Sequence, residues 1–519
     1  MSLNSRGLMP RDEVAPSFRG RVGSRCGTGR VPAADIADKN KGLLITCAGK
    51  QPAMPVGPII RFRRVKAAMR RDQGNMERDV KAASSTSLNS PATGDENLPV
   101  FRKIAFRILP LLVLCYLSAF MDRVNVGFAA VSMREDIALS ATAFGIGSGV
   151  FFLSYFLLEV PSNLALTKFG ARRWIARIMI SWGILSGLTA FVWNGPSFIA
   201  LRFLLGAAEA GFYPGVLLYL TQWFPEKKRA QILGYFILAN PLATIIGAPL
   251  SGWLLSMGHF GSLKGWQLMF LVEAVPAILL GIVTFFCLPD RVSDARWLSD
   301  DEKREVASQL QKEALQTVKR ARIDLRHVFT HPRVLGLSFI FLTISMTNAT
   351  VNFWLPQMIK SSGFSTYVTG WISAIPYVAA VGSLLFWGRH SDRTGERRYH
   401  ILVPMVAAAV CIAVSGLSDA PIVRILGFTI ASAGLFAALP IYWSLPGRFL
   451  VGNAAAGGIA FINSVGNLGG FIGPSAMGYV KDMTGSFSGG LLLDSIALVL
   501  GAVVVMRVTS RTSAANREA

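Results

Sequence analysis

Residues 104–128 read IAFRILPLLVLCYLSAFMDRVNVGF, an apolar run broken by charge only at Arg107, Asp122 and Arg123. About 20 apolar residues, rising 1.5 Å each as a helix, cross roughly 30 Å of hydrocarbon. The run lacks the period-two alternation of a membrane barrel strand, and an open sheet edge cannot be satisfied in lipid. A transmembrane helix is the remaining reading. Working outward, comparable runs recur at 143–165, 174–193, 198–220, 232–256 and 266–288, and after a polar break at 334–357, 368–388, 399–417, 422–443, 454–478 and 490–508. The chain of 519 residues is 52% hydrophobic and 16% charged, with mean hydropathy +0.45. Soluble domains carry about 25% charge, so this composition calls for lipid. The predicted fold is all-α: twelve transmembrane helices in two pseudo-symmetric six-helix bundles, 101–289 and 334–509, joined by a linker at 290–333.

The net charge of +22 raises a nucleic-acid partner, but Lys and Arg sit in the N-terminal region and between spans rather than on one basic face. No nucleic-acid partner is expected; the lipid bilayer is. Basic residues gather at Lys103 and Arg107, at Lys168, Arg172 and Arg173, at Lys227 to Arg229, in the linker, and from Arg389 to Arg398. The opposite loops carry few, which predicts a multi-pass protein of the inner (plasma) membrane with both termini, including the tail 510–519, in the cytoplasm. Residues 1–100, rich in Arg, Gly, Ser and Pro, read as a disordered basic extension, with the natural start expected at Met76. No signal peptide is evident, since the apolar run Gly42 to Ile45 is too short.

Cys26 and Cys47 precede the spans, Cys115, Cys287 and Cys411 are scattered through them, and no metal-ligand spacing appears. His259, His327, His331, His390 and His400 fall in loops or at span ends, so proton chemistry at mid-membrane is left to carboxylates. The chain has no nucleophile beside a base, no metal cluster and no phosphate loop, so no enzyme, cofactor or metal is expected. In the linker, Ser299-Asp-Asp-Glu302 is a capping box opening the polar run Lys303 to Lys319, an amphipathic helix expected at the membrane surface.

The halves share a signature after their second span. Gly388-Arg-His-Ser-Asp392-Arg393-Thr-Gly395-Glu-Arg397-Arg398 matches the spacing of Asn163-Leu-Ala-Leu-Thr167-Lys168-Phe-Gly170-Ala-Arg172-Arg173, with Thr167 in place of the Asp. Gly allows a tight turn and the carboxylate suits a helix terminus, so Gly388, Asp392, Arg393, Gly395, Arg397, Lys168, Gly170 and Arg172 are read as a cytoplasmic gate.

This signature, with six-plus-six topology, resembles the major facilitator superfamily over about residues 100–510. Tyr116 with Asp122-Arg123-Val-Asn125-Val-Gly127 narrows the resemblance to the anion:cation symporter family, as do Gly265-Trp266-Gln267 with Phe270, Glu273 and Pro276. Leu288-Pro-Asp290, Phe353-Trp-Leu-Pro356 and Ile462-Asn463-Ser-Val-Gly466-Asn467 belong to the same set. The resemblance implies a carrier of tartrate, sugar acids or aromatic acids, coupled to protons.

An ionised side chain at mid-membrane costs at least about 2.5–3.5 kcal/mol, so each needs a partner or a wet cavity. Asp122 and Arg123 are adjacent in the first span; Arg202 and Glu209 lie seven apart on one face of the fourth. Both pairs are expected to border one central cavity. Arg holds a carboxylate through a planar fork and stays charged, so Arg123 is the expected clamp, with Arg202 second. Asp122 and Glu209 are the expected proton-coupling groups, as the resemblance also implies. Tyr116, Asn352, Tyr377, Asn463 and Asn467 are the neutral substrate-binding candidates; the last two, one helical turn apart, suit reading substrate hydroxyls and joining helices equally. Glu159 and Glu273 are read as structural, Asp494 as lying near an exposed end, and Trp354, Trp371 and Trp443 as interface anchors, with cavity lining as the alternative.

The expected function is proton-coupled uptake of a small organic anion by a monomer, the halves rocking about a central site. Export of amphipathic compounds is the rival within transporters, although Gly247-Ala-Pro249-Leu-Ser-Gly252 matches the exporters' fifth-helix motif only in part. A receptor or membrane enzyme on a transporter fold is the alternative from another class.

Overall fold

The computed structural model describes residues 99–318, 325–448, 450 and 453–515, so the N-terminal extension, Met76 and the last residues of the tail lie outside the described residues. The first half comprises α1 (Pro99–Asp136), α2 (Ala141–Phe169), α3 (Ala171–Leu188), α4 (Gly195–Glu209), α5 (Phe212–Thr221), α6 (Glu226–Ser256) and α7 (Gly265–Cys287). The linker supplies α8 (Asp300–Val318) and α9 (Leu325–Thr330). The second half comprises α10 (Pro332–Ser361), α11 (Thr366–Thr394), α12 (Arg398–Leu417), α13 (Pro421–Trp443), α14 (Asn453–Asn467), α15 (Gly469–Thr484) and α16 (Ser488–Ala515).

Among the described residues, eleven helical segments are long and apolar enough to cross a membrane. Two predicted spans are broken. The fourth bends where Gly211 takes φ +86°, with α5 starting there against Ser162. The predicted span 454–478 is two helices, α14 and α15, separated at Leu468, so it does not register as one long segment. Large apolar side chains face outward over the whole belt, from Phe106 and Leu164 to Leu417 and Ile422, as lipid contact requires.

The halves meet through α1 on α10, α2 on α15 and α6 on α11. Glycines make these crossings close: a methyl on Gly127 would come within 2.7 Å of the Asn352 carbonyl oxygen, and one on Gly370 within 2.6 Å of that of Ala248. One apolar cluster runs unbroken from Val124 to Met133 of α1 into α10 and α11, while Val100 to Ala119 belongs to a separate cluster confined to the first half and linker. The cores fuse at the end away from the basic loops and part at the basic end.

The fused end carries specific ties. Exposed Asp482 of α15 accepts from the Ala141 and Thr142 backbone N–H groups at 3.0 and 2.7 Å, completing the N-terminus of α2 whose Ala143 N–H goes to Ser140 Oγ. Arg134 donates to Gln357 at 3.0 Å and stands 5.9 Å from the Trp354 ring. Trp354 is wholly buried against Phe144 and Phe487, which overturns its reading as an interface anchor; Trp371 remains 55% exposed.

At the basic end the capping box forms as expected, Ser299 N–H donating to Glu302 at 2.8 Å, and α8 ties to the first half through Lys103–Glu302 at 2.9 Å and Arg229–Glu313 at 3.0 Å. Burial of Leu298 and Val306 seats the linker on that half.

Candidate functional site

Between the halves lies a cavity of about 200 Å³. A water needs about 10–15 Å³ on this measure, so a small organic molecule fits. The first half contributes Tyr116, Phe120, Arg123 and Val124 of α1, Phe152 and Tyr155 of α2, Tyr213 of α5, and Ile237 and Asn240 of α6. The second contributes Phe341 to Phe353 on one face of α10, Leu439, Pro440 and Trp443 of α13, and Asn463 and Asn467 of α14.

Arg123 is the cation of this wall. Its guanidinium is held by Glu209 through Nε at 2.9 Å and through Nη2, and sits 4.9, 5.2 and 5.5 Å from the rings of Phe120, Phe151 and Tyr155. The Arg123 side chain keeps 20% of its surface open while Glu209 keeps 1%, so the carboxylate backs the guanidinium from inside the protein. Tyr116 stacks on Phe236 at 4.1 Å and Tyr213 at 5.5 Å, which sets its face to the cavity.

The spacing of Arg202 and Glu209 on α4 predicted proximity, and the pairing runs otherwise: Glu209 reaches across to Arg123. Arg202 is 1% exposed, lies 5.0 Å from the Phe151 ring and 6.0 Å from Phe353, and its three guanidinium nitrogens have no hydrogen-bond partner among the described residues. Asp122 also lies off the wall, 2% exposed, accepting from Ser186 Oγ at 3.0 Å and Asn125 Nδ2 at 3.3 Å. Neighbours along α1 point about 100° apart, so Asp122 turns into the bundle as Arg123 turns to the cavity.

On the second half, Asn352 lines the cavity, Tyr377 stands buried behind it with its hydroxyl on Asn352 Oδ1, and Asn352 Nδ2 donates to Asn348 at 3.3 Å. Asn463 and Asn467 both face the cavity, and Asn463 donates to Glu159 at 3.5 Å across the halves. Trp443 lines the cavity, the alternative to its reading as an anchor. Asp494 is 1% exposed within α16, correcting its placement at an exposed end. Asn240, Ser345 and Asn348 are wall residues the sequence reading passed over; Asn348 and Asn352, one turn apart, were the available signal.

The two signature loops are tied internally. Asp392 pairs with Arg397 at 2.7 Å, Arg397 donates to Ser391, and Glu396 accepts from the Tyr399 and His400 backbone and meets His400 Nδ1 at 2.7 Å. Burial works against the Glu396 charge, but these hydrogen bonds prevail and hold its carboxyl below the usual range. Gly395 takes φ +68° to end α11, and Gly388 and Arg393 lie on the last turns of that helix. In the first half, where Thr167 replaces the Asp, its hydroxyl bonds its own helix at Leu164 and Asp290 supplies the carboxylate: the Arg172 N–H donates to it at 2.8 Å. Asp290 thereby caps α3, whose preceding Gly170, at φ +90°, leaves no room for a side chain beside it; Lys168 lies over Phe169 at 5.5 Å. Among the described residues no group of His, Cys, Asp and Glu could hold a metal, and Cys115, Cys287 and Cys411 are free.

The profile of the Major Facilitator Superfamily matches residues 112–517. A protein of Agrobacterium vitis, provisionally named a tartrate transporter, is 48% identical over 80% of this chain and 96% of its own. A quinolone resistance transporter of Acinetobacter baumannii is 40% identical over 79% of this chain and 95% of its own. Among solved structures, the inward-open xylose transporter XylE of E. coli superposes with TM-score 0.63 at 14% identity, over 78% of this chain and 96% of that one. The chain belongs to the Major Facilitator Superfamily and is a multi-pass membrane transporter, not an enzyme, with the motifs of the anion:cation symporter branch.

Proposed function

We propose that the protein takes up a small organic carboxylate together with protons, by alternating access, as a monomer in a bacterial inner membrane with both termini in the cytoplasm. The observation that carries this reading is the Arg123 side chain, one-fifth open at the cavity wall and backed by a buried Glu209. A substrate carboxylate and Glu209 compete for one cation. When substrate takes Arg123, Glu209 is left buried without its partner, a state costly enough that it takes a proton. Anion binding and proton uptake are thus one event. Asp122, close behind on α1, is the second proton candidate. Moving one charge costs about 2.3 kcal/mol per 100 mV, so a monoanion gains electrically only with more than one proton.

The polar groups Asn348, Asn352, Asn463 and Asn467 facing Arg123 suit hydroxyls, and the name of the A. vitis relative supports tartrate or a sugar acid as first choice. A second reading, an aromatic acid or outward transport of one, draws on the rings around the cavity and the name of the A. baumannii relative. The signature loops, at the basic end where the two apolar cores part, are read as the cytoplasmic gate, engaged only when that end closes.

The test is tartrate accumulation in proteoliposomes under an inward proton gradient, repeated with 4-hydroxyphenylacetate and with the gradient reversed. Wild type should concentrate tartrate inward, and Glu209→Gln should lose proton-driven accumulation. Undiminished accumulation by Glu209→Gln would sink the competition mechanism.

A further inference from the structure

Glu273, in the middle of α7, lies outside the cavity, where the sequence reading gave it a structural role. It is 3% exposed. One oxygen, Oε1, accepts from Ser251 Oγ of α6 at 2.7 Å, and the Asn125 side chain of α1 lies beside the same carboxyl. The other oxygen, Oε2, has no hydrogen-bond partner among the described residues. Asn125 donates its amide to Asp122 at 3.3 Å while its own Oδ1 lacks a donor. The Trp182 indole N–H of α3 stands near Asp122, so the acceptors left without a donor are those of Glu273 and Asn125.

The nearby cations do not repair this. Arg123 is committed to Glu209, Arg202 lies over Phe151 and Phe353, and among the described residues no cation pairs with Glu273. A carboxylate buried without a cation costs several kcal/mol, and two neighbouring carboxylates resist carrying charge together. A single proton on Glu273 Oε2 removes the charge and supplies a donor for Asn125 Oδ1. We infer that Glu273 is a standing carboxylic acid, a proton-binding site outside the substrate cavity that Asn125 links to Asp122. Asn125 feels both acids, so the state of Asp122 sets how firmly the Glu273 proton is held. Because α1, α6 and α7 all contribute, a change in the packing of the first half exposes or buries the pair as one.

Its protonation stands on geometry alone; its use in transport rests on the proton-symport reading above. The experiment has two arms. Infrared spectra of the purified protein at neutral pH, wild type minus Glu273→Gln, should show one protonated-carboxyl band lost, and Ser251→Ala, which keeps the acid but removes its hydroxyl partner, should shift that band. Absence of both changes overturns the inference, and the Ser251→Ala shift alone decides it if Glu273→Gln does not fold. In proteoliposomes, Glu273→Gln should lose one proton's share of tartrate accumulation, about tenfold per unit of imposed pH gradient. A lost band with wild-type accumulation overturns the transport role. A lost band in a wild type that itself ignores the proton gradient supports the site and overturns the symport reading instead.

Discussion

Met121-Asp-Arg-Val-Asn-Val-Gly-Phe128 on α1 and Met346-Thr-Asn-Ala-Thr-Val-Asn-Phe353 on α10 hold matching places in the two halves, with Met, Val and Phe in register. They cross where Gly127 packs on the backbone of Asn352 and Phe353. Against that shared plan the chemistry diverges: Asp122 answers to Thr347, Arg123 to Asn348 and Asn125 to Thr350. Even the buried acid recurs, since Asp494 of α16 is 1% exposed as Glu273 of α7 is 3% exposed. One half thus holds the charges able to bind an anion and respond to it, and the other offers neutral groups able to read its shape. Neutral donors cost little to bury and need not change state as the cavity turns.

The sharpest way to break the contrast is Arg123→Asn, which gives α1 the residue α10 carries at Asn348. Losing one partner of a buried charge pair costs about 2–5 kcal/mol, so tartrate affinity, read by calorimetry in detergent, should fall on the order of 100-fold. Binding at wild-type strength would mean that Arg202, unpartnered behind Phe151, is the clamp.

Next is the crossing itself. A side chain at Gly127 strikes the α10 backbone, so Gly127→Leu should keep the fused end from closing. Overpacking costs about 1–3 kcal/mol, roughly a 5- to 150-fold shift toward the state open at that end, and cysteine labelling near Gln357 would report it.

Asp482 then tests how the neutral half holds the charged one. Burial opposes its charge, but the hydrogen bonds from Thr142 and Ala141 and the charge of Arg134 outweigh that and hold its carboxyl below the usual range. A carboxyl depressed in the closed form stabilises closure above its ordinary value near 4 and loses that contribution as pH falls through the lowered one. Asp482→Ala should favour opening by about 0.5–2 kcal/mol, roughly 2- to 30-fold, across pH 5–8. Wild type should open comparably only in stronger acid, with inter-half distances as the readout.

The sequence showed the spans because apolar length is a local property that the bilayer reads directly. The break at Leu468 was hidden, since the run 454–478 stays apolar through it and the neighbours of Gly469 and Gly470, the Leu342 carbonyl and the Phe152 ring, come from elsewhere in the chain. Likewise Arg123 was legible as a cavity charge, but its partner was not: spacing on α4 pointed Glu209 at Arg202, and only the fold, which brings the end of α4 to Arg123, decides otherwise. Asp290 as the cap of α3 was out of reach for the same reason, being 118 positions from Arg172.

The smallest effect concerns Asn463, whose two roles the sequence left even: reading a substrate hydroxyl or joining helices. Its bond to Glu159 is long, at 3.5 Å, and intramembrane hydrogen bonds are worth about 0.6 kcal/mol, so Asn463→Ala should weaken binding less than roughly threefold. What separates the roles is the ligand. Tartrate and succinate share a four-carbon dicarboxylate frame, and only tartrate carries hydroxyls. If Asn463 reads a hydroxyl, the loss appears with tartrate and vanishes with succinate. If it joins α14 to α2, both ligands weaken equally, and recognition in the neutral half falls to Asn348, Asn352 and Asn467.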